Sequence, residues 1–210
     1  MAGLVLGRDG NLYGTTISGA GSACDGYGCG TVFQLTLDAN GKWTESVLHN
    51  FSGEDAEEPY SALIFDPAGS LYGTTAYGGA NGVGTVFQLT PRGNGTWNER
   101  GLHDFSCDGK DGCYPFANLL LDAAGNLYGT TEEGGAYKSS CGASNGCGTV
   151  FRLSLGTNGK WTEKVLHNFG RGKDGAIPFA GLVSDAVGNL YGTTDGGGAY
   201  GYGTVFEIRP

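Results

Sequence analysis

Apolar positions in this chain come in short bursts separated by glycine, and the same bursts return four times. Leu-Tyr-Gly-Thr-Thr occupies residues 12–16, 71–75, 127–131 and 190–194, and Gly-Thr-Val-Phe follows at 30–33, 84–87, 148–151 and 203–206. Short runs rich in Tyr, Phe, Val and Thr between glycines predict strands. Aligning the copies gives a four-strand unit. Its first strand is expected at Gly3–Leu6, Ala62–Phe65, Ala117–Leu121 and Ala180–Ser184, and its second is Leu-Tyr-Gly-Thr-Thr itself. The third is expected at Gly30–Leu37, Gly84–Thr90, Gly148–Leu155 and Gly203–Ile208, and the fourth at Trp43–Phe51, Trp97–Phe105 and Trp161–Phe169. Turn signals separate them. Asp66-Pro67-Ala68-Gly69, Asp122-Ala123-Ala124-Gly125 and Asp185-Ala186-Val187-Gly188 join strands one and two, and Asn40-Gly41, Asn94-Gly95 and Asn158-Gly159 join strands three and four, the residues that hairpin turns require. In the first copy Gly7 stands where the other three have Asp.

Each fourth strand is followed by a connection ending in Pro59, Pro115 or Pro178. Three tight connections and one longer crossover per unit is the wiring of a β-propeller blade. The expected fold is therefore all-β, a β-propeller in one domain over residues 1–210, with repeats at about 1–59, 60–115, 116–178 and 179–210. The second strands recur at intervals of 59, 56 and 63 residues, long for a blade, with the excess in the loops. Apolar residues on both faces of Thr31-Val32-Phe33-Gln34-Leu35 fit sheets covered on both sides. A solenoid is the main rival, but its coils usually have fewer hairpins. The last repeat lacks a Trp-containing fourth strand, so 15 strands are expected. Such an edge is a pairing liability. It fits a lopsided four-bladed ring, a half ring completed by a second copy, or a fragment of a longer array.

Composition narrows the setting. The 42 glycines against 6 prolines follow no collagen-like triplet and read as turns. A net charge of -9 has the wrong sign for a phosphate-binding surface, which excludes nucleic acid as an expected partner. No apolar run approaches the roughly 20 residues of a membrane helix. Residues 1–13 lack the basic and apolar regions of a signal peptide, and Met1, almost directly before a repeat, suggests a processed or recombinant boundary. The six cysteines form three local pairs, Cys24 with Cys29, Cys107 with Cys113 and Cys141 with Cys147. An even count in glycine-rich loops with no histidine nearby suits disulfides better than zinc, and implies an oxidising compartment.

The combination Gly-Asn-Leu-Tyr-Gly-Thr-Thr, Gly-Gly, Gly-Thr-Val-Phe, Leu-His-Asn-Phe and Asp-Gly-x-x-Pro resembles the Gloeo/Verruco (GloVer) tandem repeat of bacterial surface and secreted proteins, over essentially the whole chain. The resemblance implies an extracellular, often anchored protein and supplies no catalytic residues.

Several residues are candidates for chemistry. His49, His103 and His167 recur once per complete fourth strand, but fourth strands lie far from a propeller axis, so packing beside Trp and Phe is the simpler account than a shared metal site. Tyr13, Tyr72, Tyr128 and Tyr191, with Trp43, Trp97 and Trp161, offer faces that stack on sugar rings. The alternative is that residues present in every copy are inter-blade core. Glu45, Glu99 and Glu163 repeat with the fold, whereas a glycosidase carboxylate pair should break the symmetry. Glu132, Glu133 and Asp195 do break it, standing where copies one and two have Ile17 and Ala76; they are the catalytic candidates if the protein is an enzyme. Asp108 and Asp111, in Asp-Gly-Lys-Asp-Gly, offer oxygen ligands for calcium without the spacing of an EF-hand, and a plain turn needs no metal. The expected role is an extracellular binding or scaffolding module for carbohydrate or another surface component, without a required cofactor. A polysaccharide-active enzyme and a self-associating subunit completed by strand exchange are the alternatives.

Overall fold

The computed structural model describes residues 3–19, 21–137 and 141–210, and every regular element among them is a strand. The chain forms two compact units, Met1–Asp104 and Phe105–Pro210. In the first unit, β1 (Val5–Leu6), β2 (Leu12–Thr16), β3 (Thr31–Leu37) and β4 (Trp43–Asn50) make one antiparallel sheet in that order. β5 (Ile64–Phe65), β6 (Leu71–Thr75), β7 (Thr85–Arg92) and β8 (Thr96–Asp104) make a second sheet of the same design. Both carry a bulge at the Val-Phe step of the third strand, Val32/Phe33 and Val86/Phe87. Between them lies a core of Tyr13, Val32, Phe51, Leu63, Leu71, Phe87 and Leu89.

In the second unit, β9 (Gly112–Cys113) precedes β10 (Leu120–Leu121), β11 (Leu127–Thr131), β12 (Glu133–Gly134), β13 (Thr149–Leu155) and β14 (Trp161–Asn168). β15 (Gly175–Ala176), β16 (Val183–Ser184), β17 (Leu190–Thr194), β18 (Gly196–Gly197) and β19 (Thr204–Ile208) follow. The sheet β10-β11-β13-β14 repeats the four-stranded design, and β16-β17-β19 has three strands. Tyr128, Val150, Phe169, Leu182 and Leu190 form the core of this unit, with Phe206 and Ile208 packed against it.

The repeated motifs each have a mechanical task. The second threonine of Leu-Tyr-Gly-Thr-Thr bonds through its hydroxyl to the threonine of Gly-Thr-Val-Phe, at 2.9 Å for Thr16 with Thr31, 3.0 Å for Thr75 with Thr85 and 2.8 Å for Thr131 with Thr149. The phenylalanine after Leu-His-x meets the Gly-Thr-Val-Phe ring of the next sheet edge-on, Phe51 with Phe87, Phe105 with Phe151 and Phe169 with Phe206. The glycine of Leu-Tyr-Gly-Thr-Thr lies under the same ring, since Gly73 is paired with Phe87 and Gly129 with Phe151 across the ladder. A side chain there would have no space.

Two expectations are corrected. The first strands are two residues long instead of four or five. In the second sheet the Ser61 hydroxyl donates to the Thr74 carbonyl and accepts from the Thr74 N–H, and backbone pairing stops at Ile64. Four further two-residue strands join the expected 15, with β9 pairing β12 and β15 pairing β18. Each clips a crossover to the loop after Leu-Tyr-Gly-Thr-Thr, as does the bridge Glu57–Tyr77 in the first unit. In the first copy, where Gly7 takes the place of the turn aspartate, Asp9 supplies the carboxylate instead. The Asp9 side chain swings into the space a Cβ at Gly7 would occupy and accepts from the Tyr13 hydroxyl at 2.7 Å, as Asp66, Asp122 and Asp185 do for Tyr72, Tyr128 and Tyr191.

Candidate functional site

At the end of the first unit where its turns gather, the two sheets part to leave a cleft of about 420 Å³. β1 supplies Val5 and Leu6, β5 supplies Phe65, and the β7–β8 hairpin supplies Pro91 and Trp97. Tyr13 forms an aromatic floor with its neighbours, its ring centroid 5.1 Å from Phe65 and 6.0 Å from Trp97, both edge-on. The polar rim comes from the β1–β2 turn, Arg8 and Asp9, and from Asp66. Arg8 donates to the Pro67 carbonyl at 3.2 Å, which ties the two turns together.

The rim carboxylate stays ionised. Partial burial works to raise the Asp9 pKa, but bonds from the Tyr13 hydroxyl and from the backbone and side chain of Asn11 outweigh it and bring it below the usual value. Burial, with the Asp9 carboxylate, pushes Tyr13 up to about 12, so its hydroxyl remains a donor at neutral pH. Gln34 donates to the Tyr13 oxygen at 2.7 Å and completes the network. An apolar aromatic floor under a fixed rim of charge and hydrogen bonds is the usual construction of a small-ligand site.

Of the repeated aromatic candidates, the structure brings Tyr13 and Trp97 together in this cleft. Tyr13 itself is 3% exposed, as buried as Tyr72 and Tyr128 at 5% and 6%, whose hydroxyls bond to Asp66 and Asp122. Tyr191 is half-buried, and Trp161 opens β14 half-buried. Trp43 opens β4 with 44% of its surface exposed. Glu133 and Asp195 each lie within electrostatic reach of Glu132: burial raises the Glu132 pKa, and their charges add to that. Glu133 also accepts from Asn145 at 2.8 Å. Asp108 accepts from the N–H groups of Lys110 and Asp111, and Asp111 from those of Ser106 and Gly112, so both fold their own loop. All three cysteine pairs are disulfides, Cys24–Cys29, Cys107–Cys113 and Cys141–Cys147, which indicates an oxidising environment.

Sequence reasoning missed the partners of the histidines. His49 Nε2 lies 3.0 Å from Asp55, and His167 Nε2 lies 2.8 Å from Asp174. The available signal was an aspartate six or seven residues after each of these histidines, at the head of the crossover that ends in proline.

The fold and its motifs define a class of all-β proteins built from tandem antiparallel sheets with Leu-Tyr-Gly-Thr-Thr as the second strand. The chain belongs to the Gloeobacter/Verrucomicrobia repeat family, whose pattern it matches over residues 1–210. No curated protein matches it. Among solved structures, luciferin-regenerating enzyme is similar in fold, with a TM-score of 0.52 and 18% identity. The match takes in 99% of this chain and 60% of that one.

Proposed function

We propose that the four sheets are blades of an extracellular bacterial β-propeller that binds carbohydrate or another surface component. The observation that carries the binding role is the cleft between the first two sheets. Phe65 and Trp97, backed by the buried Tyr13, offer an apolar surface for a sugar ring, and Asp9, Asp66 and Arg8 at the rim suit the hydroxyls. The strand order repeated from sheet to sheet and the likeness to luciferin-regenerating enzyme support the propeller reading, and the three disulfides support secretion. A glycan array followed by calorimetry tests the binding role. Trp97→Ala should abolish a hit while leaving the circular dichroism unchanged; absence of any hit at high protein concentration counts against the reading.

A second reading, self-association by strand addition, is favoured by β19. Val205 is 79% exposed, whereas the equivalent Val32, Val86 and Val150 are fully buried. Thr193 is exposed where Thr74 and Thr130 are buried. A fourth strand from another repeat would cover these positions. Light scattering tests this: a mass of twice 21.6 kDa that Val205→Lys returns to monomer supports it, and a monomer at all concentrations refutes it.

A further inference from the structure

We propose that His49, Asp55 and Glu99, none of which lines the cleft, form a binding site for a divalent transition metal of the zinc class. One ligand atom from each of the three lies within 4.8 Å of the other two. The three come from separate elements, β4, the crossover that follows it, and β8, so the fold and not a local turn assembles them.

The geometry of Asp55 is that of a prepared ligand. Its Oδ1 is fully engaged, accepting from the Ser52 N–H at 2.8 Å, the Ser52 hydroxyl at 2.9 Å and the Ala56 N–H at 2.8 Å. That leaves Oδ2 aimed at His49 Nε2, 3.0 Å away. Two ligand atoms each about 2.1 Å from a zinc ion stand roughly 3.0–3.4 Å apart, so this pair already has the spacing of one edge of a coordination polyhedron. Phe51 packs edge-on against the imidazole at 4.8 Å and holds its plane. Outer groups that orient a carboxylate and a ring in this way are what metal sites use to fix their ligands.

Charge points in the same direction. With neutral imidazole the cluster carries two negative charges, and the side chains of His49 and Asp55 are only 21% and 27% exposed. With the Glu99 carboxylate within 4.8 Å of the other two groups, a divalent cation would offset the mutual repulsion of the two carboxylates. One imidazole with two carboxylates suits zinc, cobalt or manganese better than calcium, which takes six to eight oxygens. The competing occupant is a proton on His49, which would make a plain ion pair with Asp55. The second unit supplies an internal control, because His167 and Asp174 make the same contact at 2.8 Å, but no fourth strand follows β19 among the described residues to bring a glutamate.

The test uses the full chain stripped with a chelator and titrated with zinc chloride by calorimetry, with bound metal counted by mass spectrometry after dialysis. The expected result is one zinc per chain, with affinity falling at least about tenfold in Glu99→Gln and unchanged in His167→Gln. Cobalt(II) added to the unaltered protein should show the visible bands of a protein-bound, imidazole-ligated ion. This readout depends on no variant folding. Retention of zinc by Glu99→Gln at full affinity, or a cobalt spectrum identical to that of the hydrated ion, would overturn the proposal in favour of the protonated pair. Neither outcome bears on Trp97 or on glycan binding.

Discussion

Replacing Gly129 with alanine should destabilise the protein although the substitution adds a single methyl group to a strand. A Cβ at Gly129 would stand 2.5 Å from Cζ and 2.8 Å from Cε1 of Phe151, and 3.2 Å from a methyl of Leu119. Carbon atoms prefer about 3.5–4.0 Å, so the ring would have to retreat by roughly 1 Å. It has nowhere to go: Phe151 is fully buried, and Phe105 meets it edge-on, ring centroids 5.1 Å apart. Overpacking of this kind costs about 1–3 kcal/mol, against a gain of about 0.5–1 kcal/mol from removing a strand glycine. The net loss should be about 1–2 kcal/mol, read as a lower urea midpoint at constant m-value. Gly14→Ala is the comparison. Its Cβ would meet Leu4 and Phe33 at 2.7 Å, but Leu4 is 54% exposed and Phe33 is only half-buried, so both can give way and the loss should fall within about 0.5 kcal/mol. Shortening the ring in Gly129→Ala/Phe151→Leu should recover part of the loss, a coupling of at least about 0.5 kcal/mol. Equal effects at Gly14 and Gly129, or strict additivity in the double variant, would refute the close-approach account.

Other outcomes follow from the same structure. Thr131→Val should cost about 1–3 kcal/mol in the same denaturation assay, because it removes the hydroxyl shared by Thr149 and the Glu133 carbonyl. Removing Cys141 and Cys147 together should cost at most about 2 kcal/mol, as expected for so short a closed loop, and calorimetric melting with and without the pair measures it. Burial acts to raise the Asp55 pKa, but the bonds from His49, Ser52 and Ala56 hold it well below the ordinary range. A lowered folded-state pKa gives stability that is present above the unfolded value, near 3.9, and is lost as pH falls through the folded one. Asp55→Asn should therefore be less stable than the parent at pH 6, with the gap narrowing steadily below about pH 4 in equilibrium urea titrations.

The strand order could be read from the chain because each long strand carries its own marks, an Asn-Gly or Asp-x-x-Gly turn at one end and apolar residues facing the same neighbours in every copy. The cysteine pairs were legible for a similar reason, since each closes within its own loop. The clips were not. β9 and β12 pair through the backbone of Gly112–Cys113 and Glu133–Gly134, and two residues held by main-chain bonds leave no periodic signature. Asp9 escaped because its carboxylate performs the task of position 7 from two residues further along. In the candidate cleft, Tyr13 and Trp97 were visible as recurring aromatics, but their meeting depends on how the first sheet packs on the second. Phe65 and Val5, which complete the floor, look like ordinary strand residues.

The hydrogen bonds that join consecutive repeats also bear on how the chain reaches its fold. Thr15 donates to the Pro59 and Ser61 carbonyls, 44 and 46 residues away, and Thr130 to that of Ala180, 50 residues away. These links reach one repeat forward, while the sheets themselves close through hairpins. Entropy of loop closure is therefore spent in short instalments. A chain emerging from the ribosome can finish each sheet before the next has been synthesised, and within each unit the second sheet then docks on the first.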